Sequence, residues 1–312
     1  MMTPNLNGLI PATVLPMAGD ARPDLETLTH YLDWVVRQGP VGLAINADTG
    51  EGPHLSRGEK RAVLEAAVAA VAGRTLVIAG IGGPYTEEAV AQARDAKAAG
   101  ADALLVFPIP AFFGRPLYPE IPYEYHRAIA RAVDLPMILF QLQPALGGVE
   151  FTAEAMARLL EIDTVVAIKE ASFDAMKFVQ MRSILDQAQR RITLLTGNDN
   201  FICHSFVLGA EGALIGFGTL AVQMQVEMIE AARRRDWDEA FRLSGIVQPL
   251  ADAIFAPPVP NYRVRTKEAL RMLGVIGSAA VRPPLLPVGD DERGRIRLAL
   301  ERAGLLEPGR AG

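Results

Sequence analysis

Short apolar runs recur along the chain between longer segments in which apolar residues return every three or four positions. This is the alternation expected of strand–helix units around a parallel sheet. Eight runs are legible: Leu9–Leu15, Val41–Ile45, Thr75–Ala79, Ala103–Phe107, Pro136–Phe140, Val165–Lys169, Ile192–Thr196 and Ala213–Ile215. Each is rich in Val, Ile, Leu or Ala, which suits strands covered on both faces. Between them, Asp24–Gln38 reads as a helix that follows a proline and stops at Gly39, Ser56–Val71 opens on the capping-box pair Ser56 and Glu59, and Thr86–Ala99 stops at Gly100. Pro119–Ala132, Thr152–Glu161, Asp174–Leu185 and Asn198–Leu208 continue the series. Eight strands with their helices fit into about 215 residues with no linker or shift of composition, so the pattern predicts an α/β chain folded as a closed (β/α)8 TIM barrel. The barrel is assigned to residues 1–220. A C-terminal helical extension packed on it takes 221–312, where Leu220–Leu250 and Thr266–Leu273 read as helices joined by the proline-rich Pro257–Pro260. In such a barrel chemistry sits at the C-terminal ends of the strands.

Composition narrows the class. With 312 residues, 50% hydrophobic and 21% charged, the chain has ample core and is not disordered. Its 31 basic and 36 acidic residues leave a net charge of -5, which offers no broad cationic face to nucleic acid. The single cysteine, Cys203, forms no internal disulfide, and the four histidines make neither an HExxH motif nor a Cys/His cluster, so no metal site is expected. A reducing cytoplasm is the expected location. The first nineteen residues are uncharged, but Pro4, Pro11 and Pro16 interrupt them and no basic segment precedes them, which argues against a signal peptide. Elsewhere the longest uncharged stretches, such as 212–226, are too short and too glycine-rich to span a membrane.

Lysine is scarce: Lys60, Lys97, Lys169, Lys177 and Lys267 are the only ones. Lys60, Lys97 and Lys177 fall in charged helical segments, whereas Lys169 ends the apolar run Val165-Val166-Ala167-Ile168, where a strand enters the barrel mouth. Burial disfavours an ammonium and leaves a free amine able to attack a carbonyl and form a Schiff base. The plainer alternative is a lysine paired with Glu170, although alternation along the strand points those two side chains to opposite faces.

Six ordered segments extend this reading. Gly8-Leu-Ile-Pro-Ala-Thr13, Ala47-Asp-Thr-Gly-Glu51 with Leu55-Ser56 and Glu59, Val166-Ala-Ile-Lys-Glu-Ala-Ser172, Gly197-Asn-Asp199, Gly209-Ala-Glu-Gly212 and Val281-Arg-Pro-Pro284 together resemble the dihydrodipicolinate synthase and N-acetylneuraminate lyase family. The resemblance spans nearly the whole chain. It implies a class I aldolase or dehydratase on a (β/α)8 barrel that needs no cofactor and assembles as a homotetramer or homodimer. It implies a small 2-oxo acid substrate, such as pyruvate or a 2-keto-3-deoxy sugar acid, held as an imine on Lys169. Thr49, Gly50, Phe140, Gln141, Gly197 and Leu214 are the substrate-binding positions it indicates.

The departures from the family pattern matter as much. The loop after strand two, Gly-Thr-Thr-Gly-Glu in the family, here reads Ala47-Asp48-Thr49-Gly50-Glu51, so a carboxylate stands where a hydroxyl is usual. Asp48 is the first choice for acid–base work, against the alternative of a loop aspartate capping its own turn. The family tyrosine that ends strand five is Phe140, and the aromatic pair after strand four is matched only by Phe112 and Phe113. None of Tyr118, Tyr123 and Tyr125 falls at a motif position. No arginine follows strand five, where the synthase uses one for its aspartate semialdehyde substrate; 145–149 is neutral. These absences point to a Schiff-base lyase that is not dihydrodipicolinate synthase itself, with a non-catalytic metabolite sensor as the alternative.

Other candidates carry less. Glu51 and His54 are further proton-transfer candidates, and Asp199 reads as a structural residue at a helix head, where exposed N–H groups favour a negative charge. Gly80-Ile-Gly-Gly83 lacks phosphate-loop spacing and reads as a tight turn. The Val222, Met224 and Met228 stripe reads as packing, and Arg233–Arg235 with Asp236 as a solvated helix end.

Overall fold

The computed structural model describes residues 4–113 and 117–308. The outermost residues of the two assigned regions, 1–3 and 309–312, lie outside the described residues.

Eight parallel strands run β1 Leu9–Pro11, β2 Gly42–Ile45, β3 Leu76–Ile81, β4 Ala103–Val106, β5 Met137–Leu142, β6 Val165–Ala171, β7 Thr193–Thr196 and β8 Gly212–Ile215. Each pairs with its chain neighbour from β2 through β8, and β8 pairs with β1. The Val41 N–H donates to the Leu9 carbonyl at 2.9 Å and the Thr13 N–H to the Ala44 carbonyl at 3.1 Å, which closes β1 against β2 and removes the sheet's edges. The predicted closed barrel is therefore present.

Alternation divides the apolar residues into two cores. Ile10, Ala44, Ile78, Leu105, Ala167 and Leu214 fill the barrel, while Leu43, Ala79, Leu104, Ile168 and Leu194 face the helices. Around the strands lie α1 Leu25–Val36, α2 Arg57–Val71, α3 Thr86–Ala99, α4 Glu120–Ala132, α5 Ala153–Leu159, α6 Ala175–Asp186, α7 Ile202–Val207 and α8 Val222–Arg233. Their starts are chemically specified. The Asp24 and Thr152 side chains cap α1 and α5, Asp174 caps α6, and Ser56 and Glu59 make the full reciprocal capping box at α2.

The region expected to be one helix from Leu220 to Leu250 is two. α8 ends at Arg233, Arg235 adopts φ 62°, and the Asp236 carboxylate caps α9, Trp237–Ile254, by accepting the Glu239 N–H at 3.3 Å. Two more helices follow, α10 Tyr262–Met272 and α11 Asp290–Arg302. α10 begins four residues before the predicted Thr266, a difference that decides the site.

Candidate active site

The C-terminal ends of β1, β2, β5, β6, β7 and β8 converge on a small cavity of about 80 Å³, closed on its outer side by 255–263 from the extension. Lys169 enters from β6. Its neighbours Ala167 and Ala171 share the inward face, and Glu170 turns outward to accept from Gln141 Nε2 at 3.2 Å, the Ser172 N–H at 3.0 Å and Asn198 Nδ2 at 2.8 Å. The Lys169–Glu170 pair considered above therefore does not form. A Cβ on Gly197 would stand 2.6 Å from Lys169 Cε, so only glycine leaves the lysine stem its path. Burial pushes the Lys169 ammonium down to about 8, against the pull of the Asp199 and Asp48 carboxylates. At pH 7 about one such lysine in ten is a free amine, against fewer than roughly one in a thousand for an ordinary lysine. Its Nζ lies 4.2 Å from the centre of the Phe140 ring, whose face is the cavity wall there.

Asp48 follows β2 on a tight loop in which the Gly50 N–H donates to Ala47 O at 3.1 Å and the Glu51 N–H to Asp48 O at 3.0 Å. It does not cap that turn. Asp48 Oδ2 accepts the Tyr262 hydroxyl at 2.8 Å, Oδ1 pairs with Arg263 Nη2, and the Asp48 carbonyl accepts Arg263 Nε at 2.9 Å. Tyr262 Oη also lies 3.2 Å from Thr49 Oγ1. The ring is buried and stacks on Phe255 at 4.5 Å, and burial holds its hydroxyl well above the ordinary phenol range. A Cβ at Gly216 would stand 2.9 Å from the Tyr262 ring and 3.1 Å from that of Phe255, so the close of β8 must be glycine for these aromatics to settle over the mouth.

The other expected positions divide. Thr49, Phe140 and Gly197 line the cavity with Lys169 and Asp48, whereas Gly50, Gln141 and Leu214 do not. Gly50 is tucked under the loop, where a Cβ would meet the Thr13 carbonyl at 2.9 Å; Gln141 holds Glu170 and the Phe151 N–H; Leu214 belongs to the barrel interior. Glu51 is fully buried in an ion pair with Lys267 and accepts the Arg282 N–H at 3.0 Å, which removes it from the acid–base candidates. His54 lies beside Glu51, at 3.9 Å, outside the cavity.

Asp199 departs from its expected part as a helix-head residue. α7 begins only at Ile202, and Asp199 lines the cavity, buried and accepting the Phe217 N–H at 2.8 Å; burial pushes its carboxyl up to about 6. Phe112 packs against Tyr125 and His126, Phe113 is half exposed, and Tyr118, Tyr123 and Tyr125 stay outside. The phenol and the guanidinium at the mouth come instead from Tyr262 and Arg263.

The dihydrodipicolinate synthetase family model matches residues 5–303. The chain belongs to that family. The 4-hydroxy-tetrahydrodipicolinate synthases of Gluconacetobacter diazotrophicus and Alcanivorax borkumensis are 32% and 33% identical to it, over 98% and 97% of this chain and 100% and 99% of theirs. The chloride-inhibited dihydrodipicolinate synthase of Acinetobacter baumannii, solved with pyruvate, is 29% identical with a TM-score of 0.86 over 97% of this chain and 100% of that one. Family membership makes the chain an enzyme, a lyase of the class I aldolase type. The sensor alternative is withdrawn.

The exclusion of dihydrodipicolinate synthase itself is likewise corrected: the curated relatives, matched end to end, are named for that activity. The exclusion rested on a missing phenol and a missing arginine near β5, and the cavity holds one of each, delivered by α10. No helix among the described residues is long and apolar enough to cross a membrane.

Proposed function

We propose that the cavity takes pyruvate as an imine on Lys169 and joins it to an aldehyde, the condensation of a 4-hydroxy-tetrahydrodipicolinate synthase, with aspartate semialdehyde as the second substrate. The carrying observation is the buried Lys169 amine, brought to about 8 at the one strand end where Gly197 clears its path. The neutral amine adds to the 2-oxo carbon; loss of water gives the iminium. That group accepts the electron pair left when a C3–H bond breaks, so the resulting enamine attacks the aldehyde carbon, and hydrolysis returns the amine. Asp48 is the acid–base group of this reading, held by Arg263, and Thr49 and Phe140 contact the bound acid. Pyruvate as first substrate is supported by its presence in the Acinetobacter relative.

Borohydride reduction with pyruvate, followed by peptide mapping, should place the added mass on Lys169. Modification of other lysines only, or none across a panel of 2-oxo acids, would end the imine reading. Turnover of pyruvate with aspartate semialdehyde then tests the second substrate. A homo-oligomer in the dimer-to-tetramer range belongs to the same reading, supported by the exposed apolar side chains Tyr85, Phe113, Tyr118 and Ile121 on the segments after β3 and β4. Light scattering reads it directly.

A further inference from the structure

Phe140, the aromatic side chain against Lys169 Nζ, carries no hydroxyl and cannot move a proton. The phenol in the cavity wall belongs to Tyr262, from a helix outside the barrel strands. Three observations about it converge. Its Oη is 2.8 Å from Asp48 Oδ2 and 3.2 Å from Thr49 Oγ1, so one proton donor stands between a carboxylate and a second hydroxyl. The ring is buried, while the Asp48 side chain keeps 32% of its surface open, so the chain of groups runs from the closed cavity toward solvent. Arg263 grips Asp48 through both the carboxylate and the backbone carbonyl, which fixes the carboxylate facing the phenol. Orientation of this kind is what a proton transfer needs before any matching of acidities.

We propose that Tyr262 is a catalytic residue, passing protons between the Lys169-bound substrate and Asp48; the inference rests on the imine reading and deepens it. When the C3–H bond of the iminium breaks, its electron pair enters the enamine. The departing proton joins Tyr262 Oη as the phenol gives its own proton to Asp48. When the enamine forms the carbon–carbon bond, the aldehyde π pair becomes an alkoxide. It takes the phenol proton, and Asp48 returns the one it held. Relay and enzyme end as they began, with no co-reactant beyond the two substrates. Arg263 acts through Asp48 and is a positioning residue.

Exchange of the pyruvate methyl protons for deuterium, followed by NMR in D₂O, tests this step with pyruvate alone and needs no second substrate. Wild type should trap pyruvate on Lys169 and exchange its methyl protons. Tyr262→Phe should trap to a similar extent while exchange falls roughly 10²- to 10⁴-fold, the usual worth of a positioned acid–base group. Asp48→Asn keeps the loop's shape but cannot take a proton, and should lose a comparable factor. Because the two act as one path, the double variant should be no slower than the worse single one. Exchange by Tyr262→Phe within about threefold of wild type, or losses that multiply in the double variant, would overturn the relay. So would a wild type that traps pyruvate without exchanging it. A wild type that does not trap at all overturns the imine reading first, and the relay with it. Thermal midpoints of the variants distinguish lost chemistry from a lost fold; should Tyr262→Phe fail to fold, Asp48→Asn alone decides, and wild-type exchange in it refutes the relay.

Discussion

At the scale of single residues the site is set by where charge is withheld from water. Lys169 and Asp199 are both buried in one cavity, and burial moves them toward each other, the amine down to about 8 and the carboxyl up to about 6. The nucleophile is the neutral amine, so pyruvate trapping should accelerate as pH rises through about 8 and level off above it. Asp199 opposes the burial effect by favouring the ammonium, so Asp199→Asn should move that inflection to lower pH. An unmoved inflection in the variant would mean the two charges do not interact. The lysine also costs stability. Its folded pKa lies below the unfolded value near 10.4, so the unfolded chain binds more protons between those pH values and stability should rise through that interval. Lys169→Met, which keeps the stem and drops the charge, should unfold at a higher denaturant midpoint than wild type at pH 7 and lose that advantage by about pH 10.

At the scale of elements, α10 is the piece on which the site depends. It carries Tyr262 and Arg263 into the cavity from its first turn and is fixed by Lys267, whose ammonium pairs with Glu51 and donates to the Ala280 carbonyl at 2.8 Å, with both ionic side chains fully buried. Removing one partner of such a pair strands the other charge, typically a loss of about 3–5 kcal/mol, whereas removing both together costs far less. Lys267→Met should therefore be strongly destabilising by urea titration, and Lys267→Met with Glu51→Gln should recover much of the loss. A double variant as unstable as the sum of its singles would refute this account. The helix also explains what could be read from the sequence and what could not. The strands declare themselves by apolar runs, and the caps at Asp24, Ser56, Thr152 and Asp174 by side-chain type. α10 hides because Arg265, Lys267 and Glu268 are buried by ion pairing, which reads as solvent exposure in a pattern of hydrophobic and polar positions. Tyr262 falls between the proline-rich 257–260 and the helix expected from Thr266, where no apolar run marks it as part of the barrel mouth. The break between α8 and α9 carries its own mark in the sequence: Asp236, followed three residues later by Glu239, is a helix-start signature.

At the scale of the molecule, the far end of the chain locks the loops that form the mouth. Arg282, three α-helices beyond the barrel's last strand, reaches back to three distant segments. Its guanidinium donates to Ala21 O at 2.8 Å and to His54 O at 2.8 Å, and pairs with Glu59 at 2.6 Å, while its N–H donates to Glu51. The segment after α10 is thus tied to the loops after β1 and β2. This tie has a pH signature. Arg282 holds the Glu59 carboxyl down to about 2, so the unfolded chain takes up a proton near pH 4.5 that the folded one refuses. The stabilisation is complete above that pH and is lost as pH falls through about 2. With 28% of the Glu59 side chain exposed, solvent screening limits it to roughly 1–2 kcal/mol, less than the shift alone implies. Arg282→Met keeps the aliphatic stem and removes the charge. Its stability deficit relative to wild type, measured by denaturant titration, should be largest at neutral pH and should shrink between about pH 4.5 and 2 as Glu59 becomes protonated in both states. A deficit constant down to pH 2 would show that the carbonyl contacts at Ala21 and His54, not the ion pair, hold the extension in place.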